Sequence, residues 1–205
     1  MPQPQQTTPL AKPKVLIGEG RDEVNFLGAL CTHLGLTDVQ VEEYGGKGNL
    51  SRYLREFGVR PGRPNVVSLG ITRDADSAVA QVFQSICTLL GNNGLPVPVA
   101  AGQMAAGPPR IGLFILPDNQ RDGMLEDLCL DAVQTDGAVV CVTEFFQCVG
   151  KNTLRQPKPM AKARVHAWLA SQDDPELRLG EAAQRAYWPW TNPVFQPLIQ
   201  FLQTL

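Results

Sequence analysis

The chain is organised around the segment Ile71-Thr72-Arg73-Asp74-Ala75-Asp76-Ser77. The apolar run 66–71 leads into it and predicts a buried strand. The helix predicted after it has one apolar face, formed by Val79, Val82, Phe83, Ile86, Cys87 and Leu90. Asp74 and Asp76 therefore follow a strand, at the edge where open α/β sheets bind ligands. There the two carboxylates can share Mg²⁺; alternatively, Asp76 or Ser77 caps the helix and Asp74 is a solvated turn residue.

The segments on either side repeat the same strand–helix order. A strand over 14–18 runs into Glu19 and a helix, and a second strand over 38–42 precedes a Gly-rich loop and a short helix. A further apolar strand over 111–116 is again followed by a helix. This alternation predicts an α/β fold with a mostly parallel sheet sandwiched by helices.

The ends of the chain have a different character. Residues 1–12 are rich in Pro and Gln and predict a disordered leader. An α/β domain over 13–135 is then followed by a C-terminal helical appendage over 136–205, which we expect to pack on the same core. In the appendage, Trp188 and Trp190 could stack nucleic-acid bases, but we favour a role in sealing a helix against the domain.

One internal stretch, residues 95–110, interrupts the strand–helix pattern. It is dense in Pro, Gly and Ala. We expect an extended strand here, followed by a mobile loop over 102–109. A substrate-gating lid and a disordered insertion both fit that composition.

The overall composition is that of a soluble globular protein. Of 205 residues, 43% are hydrophobic and 19% are charged, and the net charge is −2, so nucleic-acid binding would need a local basic patch. Five cysteines show no paired spacing; four fall in apolar helical stripes, which predicts reduced core residues. Neither a signal peptide nor a bilayer-spanning run is apparent, so we expect a cytoplasmic protein without a membrane partner.

Charged residues follow several of the predicted strands. The acidic ones are Glu19, Asp74, Asp76, Glu126 and Asp127, and the basic ones nearby in the predicted fold are Lys47, Arg73 and Lys162. Because the carboxyl ends of parallel strands meet at one edge, these groups predict a cation site beside phosphate-binding groups. Lys47 lies in the Gly-rich loop, which we interpret mainly as a turn. Glu126 and Asp127 either complement the dipole of their helix or join the cation site.

Two of these motifs carry a family resemblance. Ile17-Gly18-Glu19-Gly20 followed by Asp74-Ala75-Asp76 resembles the Toprim domain of topoisomerases, primases and OLD-family nucleases. The whole chain is similar to a family of small prokaryotic Toprim-related proteins, through 115–118, 123–127 and the Trp-Pro-Trp tail. The Toprim-like part would cover residues 13–135.

The resemblance implies roles for individual residues. Glu19 would be a general acid/base or a metal ligand, and Asp74 with Asp76 would bind Mg²⁺ or Mn²⁺. Glu23 matches a second acidic residue of OLD-type nucleases. A later acidic residue and a lysine of those nucleases are matched by Glu126 or Asp127 and by Lys162, but only through their order along the sequence. Two departures are visible: Ala78 replaces a third aspartate of many Toprim motifs, and the chain has no P-loop of an accompanying ATPase.

Three functions follow from these patterns. The first is Mg²⁺-dependent phosphoryl transfer, as a nuclease acting on DNA or RNA, with Glu19 and Lys162 catalytic and Lys47 and Arg73 binding phosphate. The second is a non-catalytic module that keeps the fold and binds a nucleotide, a nucleic acid or a protein. The third, a nucleotide-binding α/β enzyme of another kind, ranks last because no dinucleotide fingerprint follows the first strand. A protein partner or a second copy of the chain stays open.

Overall fold

A five-stranded sheet forms the centre of the protein. The computed structural model describes residues 8–76 and 78–205. Its strands are β1 (Lys14–Gly18), β2 (Val39–Glu43), β3 (Ser68–Asp74), β4 (Met104–Ala105) and β5 (Arg110–Leu116). Their spatial order is β2-β1-β3-β5-β4; β4 runs antiparallel to β5, and the other neighbouring pairs are parallel. The predicted mixed α/β class with a mostly parallel sheet is therefore confirmed.

Helices connect and cover the strands. The α-helices are α1 (Arg21–His33), α2 (Leu50–Val59), α3 (Val79–Asn92), α4 (Leu125–Ala132), α5 (Gly137–Thr153), α6 (Met160–Leu169), α7 (Leu179–Gln184) and α8 (Gln196–Gln203). Short 3₁₀ turns lie at Lys47–Asn49, Arg63–Asn65 and Pro193–Phe195. Within residues 8–76 and 78–205, no helix is both long enough and apolar enough to cross a bilayer.

Alternation of side chains along the strands divides the core into two layers. Leu16, Phe114 and Leu116 point to one face, where they pack with apolar residues of α1, α4, α6, α7 and α8. Ile17 and Leu113 point to the other face, toward α2 and α3. The C-terminal helices thus share a core with the sheet, and Trp188 and Trp190 are 1% and 8% exposed, as the predicted sealing role requires.

The N-terminal segment departs from the predicted leader. Residues 1–7 lie outside the described part of the chain, but residues 8–12 are packed on the domain. Leu10 is buried. The Gln40 side chain on β2 accepts a hydrogen bond from Ala11 N (2.7 Å) and donates one to Pro9 O (3.1 Å). Residues 8–12 are therefore held along β2, because an apolar anchor and a side-chain amide fix a stretch whose composition alone suggested disorder.

The stretch 95–110 also differs from the expected mobile loop. Met104–Ala105 form β4 against β5, and Gly102 N donates a hydrogen bond to Leu113 O at 2.7 Å. A strand of two residues leaves too little periodic signal to be recognised in a Pro- and Gly-rich sequence. The predicted loop 102–109 is instead attached to the sheet at its start.

Helix α5 explains why the expectation of four core cysteines is wrong. Cys31, Cys87 and Cys129 are buried thiols, whereas Cys141 and Cys148 are exposed; all five are free. Val142 is the one buried residue of α5 among its seventeen positions, and Phe145 is 54% exposed. The helix has apolar residues on more than one side but packs against the domain on only one of them.

Candidate functional site

The strand order places the candidate site at a switch in chain direction. β2 and β3 lie on opposite sides of β1, so the connections leaving β1 and β3 diverge and open a crevice at their carboxyl ends. Glu19 follows β1 and Asp74 ends β3, directly opposite Leu116 of β5. Glu19 and Asp74, two of the predicted acidic residues, therefore lie at the position where open α/β sheets bind ligands.

Glu23 is the most deeply buried acidic group of this edge. Its side chain lies under β1, because Gly18 has no Cβ and a Cβ there would sit 3.0 Å from the Glu23 carboxyl carbon. Glu23 Oε2 accepts a hydrogen bond from Glu19 N at 2.6 Å, and Oε1 contacts the Thr72 hydroxyl. Burial raises the pKa of Glu23 to about 7, and the charges of Glu19 and Glu126 add to the rise.

The Thr72 hydroxyl connects Glu23 to the sheet. Its oxygen lies 3.1 Å from the carbonyl oxygen of Ile17 as well as beside Glu23 Oε1. A hydroxyl has one proton to donate. When it donates to Ile17, its lone pair can accept the proton of a neutral Glu23 carboxyl. Sequence reasoning gave Thr72 no role, and its one signal was its position between the apolar run of β3 and the charged pair Arg73-Asp74.

Asp74 lies at the N-terminus of α4. Its Oδ1 accepts a hydrogen bond from Leu125 N at 2.9 Å, so the helix N-terminus faces the carboxylate. Burial nevertheless raises the pKa of Asp74 to about 8, and the nearby charges of Glu23, Glu126 and Glu19 raise it further. Asp74 therefore stays largely protonated at neutral pH unless a positive charge joins it.

Glu126 and Asp127 have separate roles in the first turn of α4. Asp127 Oδ2 accepts a hydrogen bond from Met124 N at 2.9 Å, which caps the helix. Glu126 instead faces the acidic edge, where its charge raises the pKa values of both Glu23 and Asp74. Its Oε1 lies 3.8 Å from Lys162 Nζ on α6. The structure thus brings Glu126 and Lys162 together beside Asp74.

Asp76 turns away from Asp74 toward basic side chains. Asp76 adopts a left-handed backbone conformation with φ of 54°, and its N–H donates to Gly123 O at 2.8 Å. Its carboxylate forms an ion pair with Lys47. The first amide of α3, Val79 N, donates to Asp122 Oδ1 at 3.1 Å. Asp122, and not the predicted Asp76, therefore accepts the hydrogen bond of this amide. Ser77, the other predicted cap, lies outside the described residues.

Glu19 stands between the acidic and the basic side chains. Its Oε2 lies 3.5 Å from Arg73 Nε, and both atoms are buried without a hydrogen-bond partner. Burial raises the pKa of Glu19, and the charges of Arg73 and Lys47 oppose the rise. Glu19 Oε2 is thus a buried acceptor with an unsatisfied lone pair next to a guanidinium.

Comparison with known proteins gives a family. The family model described as "Protein of unknown function (DUF3226)" matches residues 13–205. The chain belongs to the DUF3226 family. No curated protein matches it.

This DUF3226 protein has a distant likeness to solved structures of the C-terminal region of the OLD protein from Xanthomonas campestris pv. campestris. The structure phased with mercury has 12% sequence identity and a TM-score of 0.47, covering 95% of this chain and 96% of that chain. The structure phased with platinum has 14% identity and a TM-score of 0.47, covering 94% and 93%. The structure phased with iodine has 13% identity and a TM-score of 0.45, covering 95% and 96%.

The geometry of the DUF3226 site limits the kind of cation it suits. In residues 8–76 and 78–205, no three His, Cys, Asp or Glu side chains form a group arranged to hold a metal ion. A closed cage of the zinc or calcium type is therefore not preformed there. Asp74 and Glu126 are two neighbouring carboxylates, and Mg²⁺ commonly binds through one or two carboxylates while keeping waters for substrate oxygens.

Proposed function

We propose that this DUF3226 protein holds one divalent cation, Mg²⁺ or Mn²⁺, at Asp74 and Glu126 and catalyses phosphoryl transfer on nucleic acid as a Toprim-type nuclease. The observation that carries the proposal is the buried Asp74 carboxyl, which lies among the charges of Glu23, Glu126 and Glu19. Lys162, whose Nζ lies 3.8 Å from Glu126 Oε1, is 56% exposed.

Electrostatics supports a cation at this place. Burying several carboxyl groups together is unfavourable unless they are neutralised by protons or by positive charge. Without a cation, bound protons neutralise these carboxyl groups, because the pKa of Asp74 is raised to about 8 and that of Glu23 to about 7. A divalent cation would replace those protons and would favour the ionised carboxylates.

The surrounding residues can supply the remaining chemistry. A cation at this site would stabilise charge on a phosphate and lower the pKa of a bound water. Glu19 Oε2, buried without a hydrogen-bond donor, can accept a proton from the attacking water. Lys162 can stabilise charge on the phosphate, and Arg73 and Lys47 can bind its oxygens once their acidic partners release them.

The other two acidic residues of the predicted set have different parts. Both Glu23 oxygens already have neighbours, Glu19 N and the Thr72 hydroxyl. Glu23 therefore suits a residue that positions the loop carrying Glu19, with cation binding a second possibility. Asp76 can join the cation only after leaving Lys47. The order Glu19-Gly20 then Asp74-Ala75-Asp76, with its resemblance to Toprim motifs, supports phosphoryl transfer on nucleic acid. Among Toprim-type reactions, Glu23 supports a nuclease, because it matches a second acidic residue of OLD-type nucleases.

The experiment is a titration of Mg²⁺ and Mn²⁺ into the purified protein by calorimetry. Asp74→Asn/Glu126→Gln is compared with Asp173→Asn/Glu176→Gln, a control that removes two exposed carboxylates away from the sheet edge. We expect the parent and the control to bind and the site variant to lose binding at least tenfold. Unchanged binding by the site variant would refute the site. Binding variants are then assayed for cleavage of single- and double-stranded DNA and RNA.

A non-catalytic binding module is the second candidate. Ala78 stands where many Toprim motifs have a third aspartate, and no group of three acidic side chains is preformed among residues 8–76 and 78–205. Both facts favour a cation that helps to bind a phosphate without cleaving it. Mg²⁺ binding together with intact nucleic-acid substrates in every form would support this candidate and reject the nuclease.

A further inference from the structure

One segment of the chain separates positive from negative charge. The protein has 18 Lys and Arg residues against 20 Asp and Glu residues, but residues 145–172 contain no acidic residue. The basic residues of this segment are Lys151, Arg155, Lys158, Lys162, Arg164 and His166. In a chain with a net charge of −2, such a segment is a local basic surface of the kind that binds polyanions.

A groove lies inside this basic segment. It has a volume of about 340 Å³ and runs between α5 and α6, with Phe146, Gln147, Lys151, Gln156, Met160 and Arg164 among its lining residues. That volume is at the lower end of the range for ligand clefts, roughly 300–1,000 Å³. Arg164 Nε is buried there without a hydrogen-bond partner. An aromatic and thioether wall, two amides and two cations are together the groups that bind a nucleobase and its phosphates.

Helix α6 links this groove to the acidic edge. Lys162 reaches toward Glu126 on α4, and Arg164 lines the groove on the side of α5. Two residues along an α-helix correspond to about 200° of rotation, so the two side chains leave opposite sides of α6. The groove and the carboxylates are thus separated by about one helix diameter, roughly 10 Å.

We propose that the α5–α6 groove binds one unpaired nucleotide of a nucleic-acid strand, and that the backbone of this strand passes over α6 to the carboxylates of Asp74 and Glu126. The inference rests on the proposed function and specifies its substrate as single-stranded, or locally unpaired, nucleic acid. A mononucleotide held in the groove by its base and by the cations of Lys151 and Arg164 has no further backbone to pass over α6 to the carboxylates. A base inside a duplex has both faces stacked and cannot enter the groove.

The test measures binding without cleavage. Fluorescence anisotropy, with Ca²⁺ in place of Mg²⁺ so that the carboxylates keep a cation and with gels of the same samples to exclude cleavage, compares a short labelled single strand, of DNA and of RNA, with a blunt duplex of the same sequence, and AMP is used as a competitor. Lys151→Gln/Arg164→Gln removes the two cations of the groove. Arg55→Gln/Arg185→Gln is the matched control, since both arginines are exposed and lie outside the basic segment.

We expect the parent to prefer the single strand over the duplex and AMP to compete poorly. The groove variant should bind the single strand roughly a hundredfold more weakly, about tenfold for each charged contact. Its logarithmic salt dependence should be less steep by about 1.4, from two lost phosphate contacts at about 0.7 each. The control should match the parent.

Several results would overturn this proposal. They are a groove variant that binds like the control, AMP that competes as well as the oligonucleotide, or an absence of nucleic-acid binding by the parent. Lys151→Gln alone, at an exposed position, replaces the double variant if Arg164→Gln does not fold. Mg²⁺ calorimetry of the groove variant keeps the two proposals apart, because that variant should retain the cation site.

Discussion

Replacing Asp74 by Asn should stabilise the protein and abolish cation binding at the same time. The pKa of Asp74 is raised from 3.8 to about 8 in the folded protein. The folded state therefore holds this proton more tightly than the unfolded state, so the protein loses stability as the pH rises and the proton is released. The contribution of Asp74 to the free energy of unfolding is greatest below about pH 4. It falls as the pH rises between the two pKa values and levels off above about pH 8. Asn, which has no charge, avoids that loss.

The magnitude follows from the same interval. pH 7 lies about 3 units above the unfolded pKa of 3.8. At 1.36 kcal/mol per unit, the stability lost through Asp74 at pH 7 is roughly 4 kcal/mol as an upper limit. Asn can keep the hydrogen bond from Leu125 N, but burial of its amide offsets part of the gain. We therefore expect Asp74→Asn to gain about 2 kcal/mol at pH 7, which for a chain of this size is a rise in Tm of roughly 4–8 °C.

Thermal and urea denaturation at pH 5 and pH 8, with and without Mg²⁺, measure the effect. The gain should be larger at pH 8 than at pH 5. Mg²⁺ at about a hundred times its Kd should stabilise the parent by about 2.7 kcal/mol and leave Asp74→Asn unchanged. A variant that is less stable than the parent at pH 8 without Mg²⁺, or a gain that does not depend on pH, would refute the account of Asp74 as a buried, destabilised acid.

Three further results are expected. Calorimetry in buffers of different ionisation enthalpy at pH 7 should detect release of about 0.9 to 1.4 protons per cation, because Asp74 is then about nine-tenths and Glu23 about half protonated. Asp136→Ala should lower the free energy of unfolding in urea by about 2 kcal/mol, since it removes both the cap of α5 and the acceptor of the Trp168 indole N–H at 2.9 Å. Gly180→Ala should lower Tm, with a loss of about 1–3 kcal/mol, because its Cβ would lie 2.5 Å from a backbone oxygen of α1.

The strand–helix units were predictable because each has a long periodic signal. The apolar face of α8 is an example: Leu198, Ile199 and Leu202 are buried as their spacing predicts. Helix α5 was predicted in the right place, but its exposed face was not. Its valines and Phe145 satisfy a helical period on more than one side, and only the packed structure selects the side that is buried.

The chemistry of the candidate site was predictable only to the level of the sheet edge. Strand ends placed Asp74, Glu126 and Asp127 at that edge, but spacing could not tell which of Glu126 and Asp127 faces it, because both suit a first helical turn. The hydrogen bond from Met124 N to Asp127 decides between them. Likewise, Asp74 and Asp76 were expected to act as a pair, whereas the left-handed backbone at Asp76 directs its carboxylate to Lys47.

The attachment of residues 8–12 along β2 has a consequence for association between molecules. β2 is an edge strand, and an exposed edge offers unpaired backbone groups to any other extended chain. Gln40 binds the segment through both ends of one amide, and the Arg60 guanidinium donates to the carbonyl oxygen of Thr8 (3.0 Å from Nε). This segment thus blocks the approach of another strand without adding a strand of its own. A truncated protein that begins at β1 would expose the edge of β2. We expect it to form filaments or to precipitate on storage.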